Sequence, residues 1–307
     1  MAKIDVDFLG VKFKNPTVVA SGVLGVTGAL LKRVVDEFGA GGVTCKSIWF
    51  QGHEGHPNPT IICSDHWMLN AVGLPDAGIE KAKEELTWYK ENCDGPLIAS
   101  IVAGTAADFG EIAEEITKIN PDIIEVNISC PNVEDELGKP FACDVDDAAN
   151  VTRQVKKRTN LPVVMKLSPN VANIGQIAKS VVDAGADAIC AINTVGPGMA
   201  IDIGTGQPIL HNKVGGVSGY GIKPIAVKCI FDIAKSVNVP IIGTGGVFTG
   251  EDAIELMMAG ATLVGIGTAV YYRGKDVFGK VAKEMEDWMD KNGVSDINEI
   301  VGKSHKL

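Results

Sequence analysis

Short runs of aliphatic and β-branched residues recur along the chain, at 17–21 (TVVAS), 42–47 (GVTCKS), 97–102 (LIASIV), 123–129 (IIEVNIS), 163–168 (VVMKLS), 188–194 (AICAINT), 241–244 (IIGT) and 263–268 (LVGIGT). Few of them alternate apolar with polar, the pattern of parallel strands covered on both faces rather than of a half-exposed sheet. Between them apolar positions repeat at helical spacing, as in Phe109, Ile112, Ala113, Ile116 and Ile119, or Ile174, Ile177, Ala178, Val181 and Val182. Strands that alternate with helices require crossover connections. Eight such units predict an α/β fold, a single-domain (β/α)8 barrel of the TIM type over residues 1–307, with a doubly wound open sheet as the alternative.

Three stretches exceed what a plain barrel needs. Residues 48–75, beginning WFQGHEGHPNPT after Ile48, are too long for an ordinary βα loop, and 195–219 form a second insertion that reads as a small β excursion. Residues 131–144, opened by Pro131 and carrying Gly138 and Pro140, make a third loop with the composition of a lid. Loops of this length usually carry function.

Composition narrows the classes. With 46% hydrophobic and 21% charged residues the chain has the apolar material to offset its conformational entropy, which excludes disorder. No apolar run approaches the roughly 20 residues of a membrane span, and the polar start Met1–Asp5 is unlike a signal peptide, so no membrane association and a cytoplasmic location are expected. Lys and Arg number 28 against 38 Asp and Glu, a net charge of −10 that would repel a phosphate backbone, and no basic cluster is denser than the stretch Arg153–Arg158. Nucleic acid is not expected as a partner. The seven cysteines, at 45, 63, 93, 130, 143, 190 and 229, are odd in number and never spaced CxxC, as befits reduced thiols and a chain without its own iron–sulfur cluster.

Candidate chemistry sits at the strand ends. Lys46, Asn127, Lys166 and Asn193 fall at or near the C-terminal ends of the second, fourth, fifth and sixth strands. Catalytic residues of these barrels cluster there, and a polar side chain in a barrel interior is costly without a partner or ligand. Any one of them alone would also read as a satisfied core group. The seventh and eighth strands run into glycine turns, Gly243–Gly246 and Gly265–Thr268, where backbone N–H groups can approach a phosphate; the bland reading is two tight turns. In Asn127-Ile128-Ser129-Cys130-Pro131-Asn132 a thiol follows the fourth strand between two amides, at the polar mouth of the barrel, although a lone cysteine is more often an inert small hydrophobe.

Taken together, ASG at 20–22, Lys46, NAVGLP at 70–75, NISCPN at 127–132, KLSPN at 166–170, INT at 192–194, GGVSG at 215–219, GTGG at 243–246 and GIGT at 265–268 resemble class 1 dihydroorotate dehydrogenases over essentially the whole chain. The pairing of NISCPN with KLSPN is the specific element; glycine turns alone occur in many phosphate-binding barrels. The resemblance implies an FMN-binding barrel, one FMN per chain, that oxidises dihydroorotate to orotate in pyrimidine (UMP) biosynthesis. Cys130 matches the family base that removes the ring carbon 5 proton while a hydride leaves ring carbon 6 for the flavin. Lys46, Asn70, Asn127, Asn132, Asn193 and Thr194, with Ala71, Val72, Gly73 and Leu74 of the NAVGLP segment, match substrate-holding positions. Lys166 matches the cation beside flavin N1, and Ser21, Lys46, Ser100, Asn127, Ile192, Gly219, Gly245, Gly246, Gly267 and Thr268 match cofactor contacts. NISCPNV, SPNVANI and INTVGPGM look most like the NAD-linked class 1B, which implies a homodimer joined to an electron-transfer subunit carrying FAD and [2Fe–2S] in a heterotetramer. The segment 241–307 also looks like the fumarate-using class 1A. Ser100 departs from a frequent Asn, Thr60 from a frequent Arg, and Tyr220-Gly221 from Pro-Ala.

The nearest alternative is a dihydropyrimidine dehydrogenase-like flavin subunit, which shares Ser-Cys-Pro and GGVSG but takes a neutral ring. Lys46 and Asn70 favour an acidic one. A non-catalytic flavin- or phosphate-binding barrel is the alternative from another class. His53, His56, Cys63 and His66 have HxxH…CxxH spacing, but structural zinc sites usually contain more cysteine, and no metal is expected.

Overall fold

The computed structural model describes residues 2–129 and 140–306. Eight strands close a parallel barrel: β1 (Thr17–Val19), β2 (Gly42–Thr44), β3 (Leu97–Ile101), β4 (Ile123–Asn127), β5 (Val163–Lys166), β6 (Ala188–Ala191), β7 (Ile241–Thr244) and β8 (Leu263–Ile266). Neighbours in sequence are neighbours in the barrel, and β8 pairs with β1 through Val264 opposite Thr17, which rules out the open-sheet alternative. Every residue of β3 and β4 is buried, the outcome expected when one face fills the barrel and the other lies under helices.

The helices α1 (Gly28–Asp36), α2 (Ile79–Asn92), α3 (Ala106–Thr117), α4 (Val145–Lys156), α5 (Ile174–Asp183), α6 (Lys223–Ser236) and α7 (Gly250–Ala259) follow β1 to β7 in turn. After β8 come the short α8 (Ala269–Arg273) and then α9 (Val277–Asn292). The periodic positions behave as their spacing predicts: Phe109, Ile112, Ala113 and Ile116 are buried on α3, and Ile174, Ile177, Ala178 and Val181 on α5. Local chemistry starts these helices. Thr105 and Asn173 accept the backbone N–H of Asp108 and Gln176, and Thr249 with Asp252 forms a reciprocal capping box on α7.

Seven of the eight expected strands overrun the observed ones at their C-terminal ends, 188–194 by three residues against Ala188–Ala191. An apolar run does not mark where a strand leaves the ladder, and residues just beyond several of these ends, Ser21, Lys46, Asn193 and Thr268 among them, line the mouth of the barrel. Two features were not anticipated. Val6–Phe8 and Val11–Phe13 form a hairpin around Leu9 and Gly10, both at positive φ, and Phe13 packs on Gly42 at the start of β2, so the hairpin covers the N-terminal end of the barrel. The loops expected at 48–75 and 195–219 share one antiparallel sheet, ordered Val195–Met199, Val214–Ser218, Met68–Asn70, Ile61–Cys63. No helix among the described residues is long and apolar enough to cross a membrane.

Candidate active site

The C-terminal ends of the strands enclose a cavity of about 470 Å³. Lys46 reaches its wall through a local irregularity. Thr44 pairs with Ile98 and Ile48 with Ile101, so four steps on one chain oppose three on the other, which is the signature of a bulge. Cys45 N–H still donates to the Ile98 carbonyl and Ile48 N–H to that of Ser100, but Lys46 N–H turns away to the carbonyl of Gly25. The expected strand 42–47 therefore ends at Thr44, and Lys46 and Ser47 line the cavity instead of continuing the barrel.

Beneath the cavity runs a chain of buried polar groups. Glu125, from the middle of β4, is 2% exposed and accepts the Ser100 hydroxyl at 2.9 Å. Ser100 and Ser47 hydroxyls lie 2.9 Å apart. Because the Ser100 proton is given to Glu125, Ser47 donates to Ser100, and Asn127 Nδ2 in turn donates to Ser47 at 3.1 Å. Asn127 Oδ1 accepts the Ser129 hydroxyl at 3.1 Å, and Asn193 Nδ2 donates to Ser129 at 2.9 Å. Thr194 N–H closes the run on Asn193 Oδ1 at 2.8 Å. An acceptor-only carboxylate at one end and backbone N–H donors at the other demand the same direction of every bond, so the amides of Asn127 and Asn193 each have one orientation. On the next strand Lys166 Nζ donates to Ser21 Oγ at 2.7 Å and stands 3.7 Å from Glu125 Oε1.

The accessory sheet forms another wall. Along Met68–Asn70 and its continuation, side chains alternate: Leu69 and Ala71 pack with Leu210 in a small separate core, while Met68 and Asn70 line the cavity. Asn70 Nδ2 donates to the Gly216 carbonyl at 3.4 Å. A Cβ on Gly216 would lie 2.0 Å from Thr194 Oγ1, so glycine is what admits Thr194 to this wall. The Thr194 hydroxyl is buried there and has no hydrogen-bond partner among the described residues.

Gly219, Gly245, Gly246, Gly267 and Thr268 also line the cavity, and Thr268 donates to the Ser218 hydroxyl at 2.8 Å. Gly246 has φ +74°, and a Cβ there would lie 2.5 Å from Cβ of Lys223 at the start of α6. Glycine is therefore what lets this turn pack against the start of α6 while its backbone lines the cavity.

Of the residues expected from the sequence, Ser21, Lys46, Asn70, Val72, Gly73, Leu74, Asn127, Lys166, Ile192, Asn193, Thr194, Gly219, Gly245, Gly246, Gly267 and Thr268 line this one cavity. Cys130 and Asn132 lie outside the described residues, as does most of the lid candidate, 131–139. Two of the expected residues do not line it. Ser100 does not reach the cavity wall; it is fully buried, and its hydroxyl is spent between Ser47 and Glu125. Ala71 points into the accessory core because strand alternation turns it away from its neighbour Asn70. Sequence reasoning missed Glu125, whose charge inside the run IIEVN was a readable anomaly, and Ser47 and Ser129, which carry no signal of their own. It also missed the apolar rim residues Phe248 and Tyr271.

The other thiols and histidines have local explanations. Burial pushes the Cys45 thiol up to about 12, and burial together with the nearby Glu125 raises that of Cys190, so both stay protonated at neutral pH. His53 stacks on Trp49 with ring centres 4.7 Å apart, and the His56 ring nitrogen Nδ1 bonds the Ala71 carbonyl. Among the described residues no group of three or more His, Cys, Asp or Glu is placed to hold a metal ion.

Comparison with known proteins adds an independent line. The family profile described as dihydroorotate dehydrogenase matches residues 3–289. A protein of Methanosarcina mazei named dihydroorotate dehydrogenase B (NAD+), catalytic subunit, is 47% identical over 298 residues, covering 97% of this chain and 94% of that protein. Proteins of the same name from Methanocaldococcus jannaschii, 45% identical with 97% and 96% covered, and Pyrococcus abyssi, 42% identical with 99% and 100% covered, are likewise similar end to end.

Proposed function

The chain belongs to the dihydroorotate dehydrogenase family, and from that premise we propose that it is the catalytic subunit of an NAD-linked enzyme oxidising dihydroorotate to orotate in pyrimidine biosynthesis. The observation that carries this reading is that one cavity gathers a lysine and three amides, Lys46, Asn70, Asn127 and Asn193, together with the glycine turns after β7 and β8. The first set suits a planar, anionic ring rich in carbonyl oxygens; the second suits a phosphate. These features fit FMN and dihydroorotate together.

In this reading Ser21, Lys166, Ile192, Gly219, Gly245, Gly246, Gly267 and Thr268 hold FMN, with the phosphate at the glycine turns and Lys166 beside the ring. When bound, FMN would supply the acceptor for the hydride leaving ring carbon 6. Lys46 holds the substrate carboxylate, and Asn70, Asn127, Asn132, Asn193 and Thr194 hold the ring's polar edge. The Cys130 thiolate takes the proton from ring carbon 5. The one-directional chain from Glu125 to Thr194 keeps Asn127 and Asn193 from rotating their amides, so binding costs them little entropy. A homodimer, an electron-transfer subunit carrying FAD and [2Fe–2S], and a cytoplasmic location complete the proposal; the NAD-linked names of the relatives support the second of these.

Substituting Gly246→Val asks a β-branched residue to adopt φ +74° and pushes a methyl group into Lys223. The expected result is a protein that purifies with most of its flavin lost, read from the absorbance ratio of flavin to protein. The function itself is tested by anaerobic mixing of the FMN-loaded chain with dihydroorotate, followed at the flavin absorbance band. Rapid bleaching is expected; bleaching with dihydrouracil but not dihydroorotate would transfer the chain to the neutral-ring alternative, and a yellow protein inert to both would leave a binding barrel without this chemistry.

A further inference from the structure

Glu125 is a carboxylate in the barrel interior that none of the roles above uses directly. It is enclosed from three strands: Ser100 on β3 donates to it at 2.9 Å, the buried Cys190 thiol on β6 lies near it, and Lys166 on β5 places its ammonium 3.7 Å away. The Lys166 and Glu125 side chains are 7% and 2% exposed, so water screens neither. A separation of 3.7 Å is too long for a good hydrogen bond but well within the range where opposite charges act strongly on one another. A buried ion pair can often be replaced as a whole by apolar residues at little cost to stability, so the presence of the pair is not explained by holding the barrel together. Lys166 also bonds Ser21, and both residues line the cavity on the side assigned to the cofactor.

From this arrangement we infer that Glu125 is a positioning residue that sets the reduction potential of the bound flavin by offsetting the charge of Lys166. Glu125 does not line the cavity; its effect passes through the lysine. With the pair intact, the cofactor faces an ammonium whose field is partly cancelled from behind. Without the carboxylate the full positive charge faces the ring, and the negative charge that reduction adds there is stabilised more. The offset keeps the flavin from holding its electrons too tightly to pass them on. The inference rests on the reading of the cavity as a flavin site.

The test uses FMN-loaded protein titrated anaerobically against a redox dye of known potential, comparing the unmodified chain with Glu125→Gln, Lys166→Met and the double variant. Gln keeps the shape and an oxygen for Ser100 while removing the charge. Glu125→Gln is expected to shift the reduced-to-oxidised ratio at a fixed potential at least about tenfold toward reduced, the scale on which one poorly screened charge acts in a protein interior. Lys166→Met is expected to shift it the other way, and Glu125→Gln added to Lys166→Met is expected to change it by less than about twofold, because a buried carboxyl deprived of its ammonium partner is neutralised by a proton and has no charge left to remove. Glu125→Asp, which restores the charge, is expected to return most of the shift.

A potential that stays put or falls in Glu125→Gln overturns the inference, as does an equal shift in the Lys166→Met background. If Glu125→Gln does not fold, its recovery in the Lys166→Met background shows the same charge coupling as stability. Failure in both backgrounds assigns Glu125 to the barrel architecture and overturns the inference. An unmodified chain that takes no FMN, or whose FMN dihydroorotate does not reduce, defeats the functional reading instead; normal reduction with an unmoved potential defeats this inference alone.

Discussion

Cys130→Ser is expected to retain FMN and orotate while reduction of the flavin by dihydroorotate at pH 7 slows by about 10²- to 10⁴-fold, the usual worth of a general base. A thiol of ordinary pKa near 8.5 has a small ionised fraction at pH 7 and gains more as pH rises, whereas a serine hydroxyl has essentially none. The reductive half-reaction of the unmodified chain should therefore speed up with pH until the thiol is fully ionised. Stopped-flow absorbance under anaerobic conditions measures both quantities. A serine variant within threefold of the parent, or a flat profile between pH 6 and 9 in the parent, would remove Cys130 from proton transfer. Cys45 and Cys190 cannot substitute for it, because burial holds both as neutral thiols.

Lys46→Met is expected to lower kcat/KM for dihydroorotate by about 10- to 100-fold, since a hydrogen bond to a charged group contributes about 1.5–3 kcal/mol. The loss should fall mainly on KM, because the carboxylate is held equally in the ground state and the transition state. Orotate should bind more weakly by a similar factor, while uracil, the same ring without the carboxylate, should bind as it does to the parent. Equal weakening of both ligands would mean that Lys46 shapes the bulge after β2 and does not recognise the acid. The bulge makes that outcome worth testing, since Lys46 N–H also ties the segment to Gly25.

Much of this molecule was readable from its sequence because the readable features are periodic. Apolar runs placed all eight barrel strands, and helical spacing placed the buried faces of α3 and α5. Polar residues at the ends of those runs had to surface at one end of a parallel barrel, which is why Lys46, Asn127, Lys166 and Asn193 reach a common cavity from four different strands. Other features left only partial traces. VDF-LG-VKF alternates around a two-residue turn, so the N-terminal hairpin was visible in principle, yet three-residue strands fall below the length at which alternation is distinctive. Glu125 stood out as one charge inside an apolar strand, but a sequence does not say which neighbours will enclose it.

What the sequence determined by itself was therefore the barrel, the end of it that holds the polar groups, and the set of motifs that marks the family. The tertiary structure alone decided three things. It inserted one extra residue between Thr44 and Ile48, which aimed Lys46 inward. It joined Met68–Asn70 to Val214–Ser218, bringing Asn70 and Thr194 to one wall. It set Glu125 behind Lys166. The physical reason is common to all three. Burial patterns are carried by side chains spaced a few residues apart, whereas register and cross-strand pairing depend on backbone hydrogen bonds between distant segments, which every residue can accept, every residue except proline can donate, and none announces.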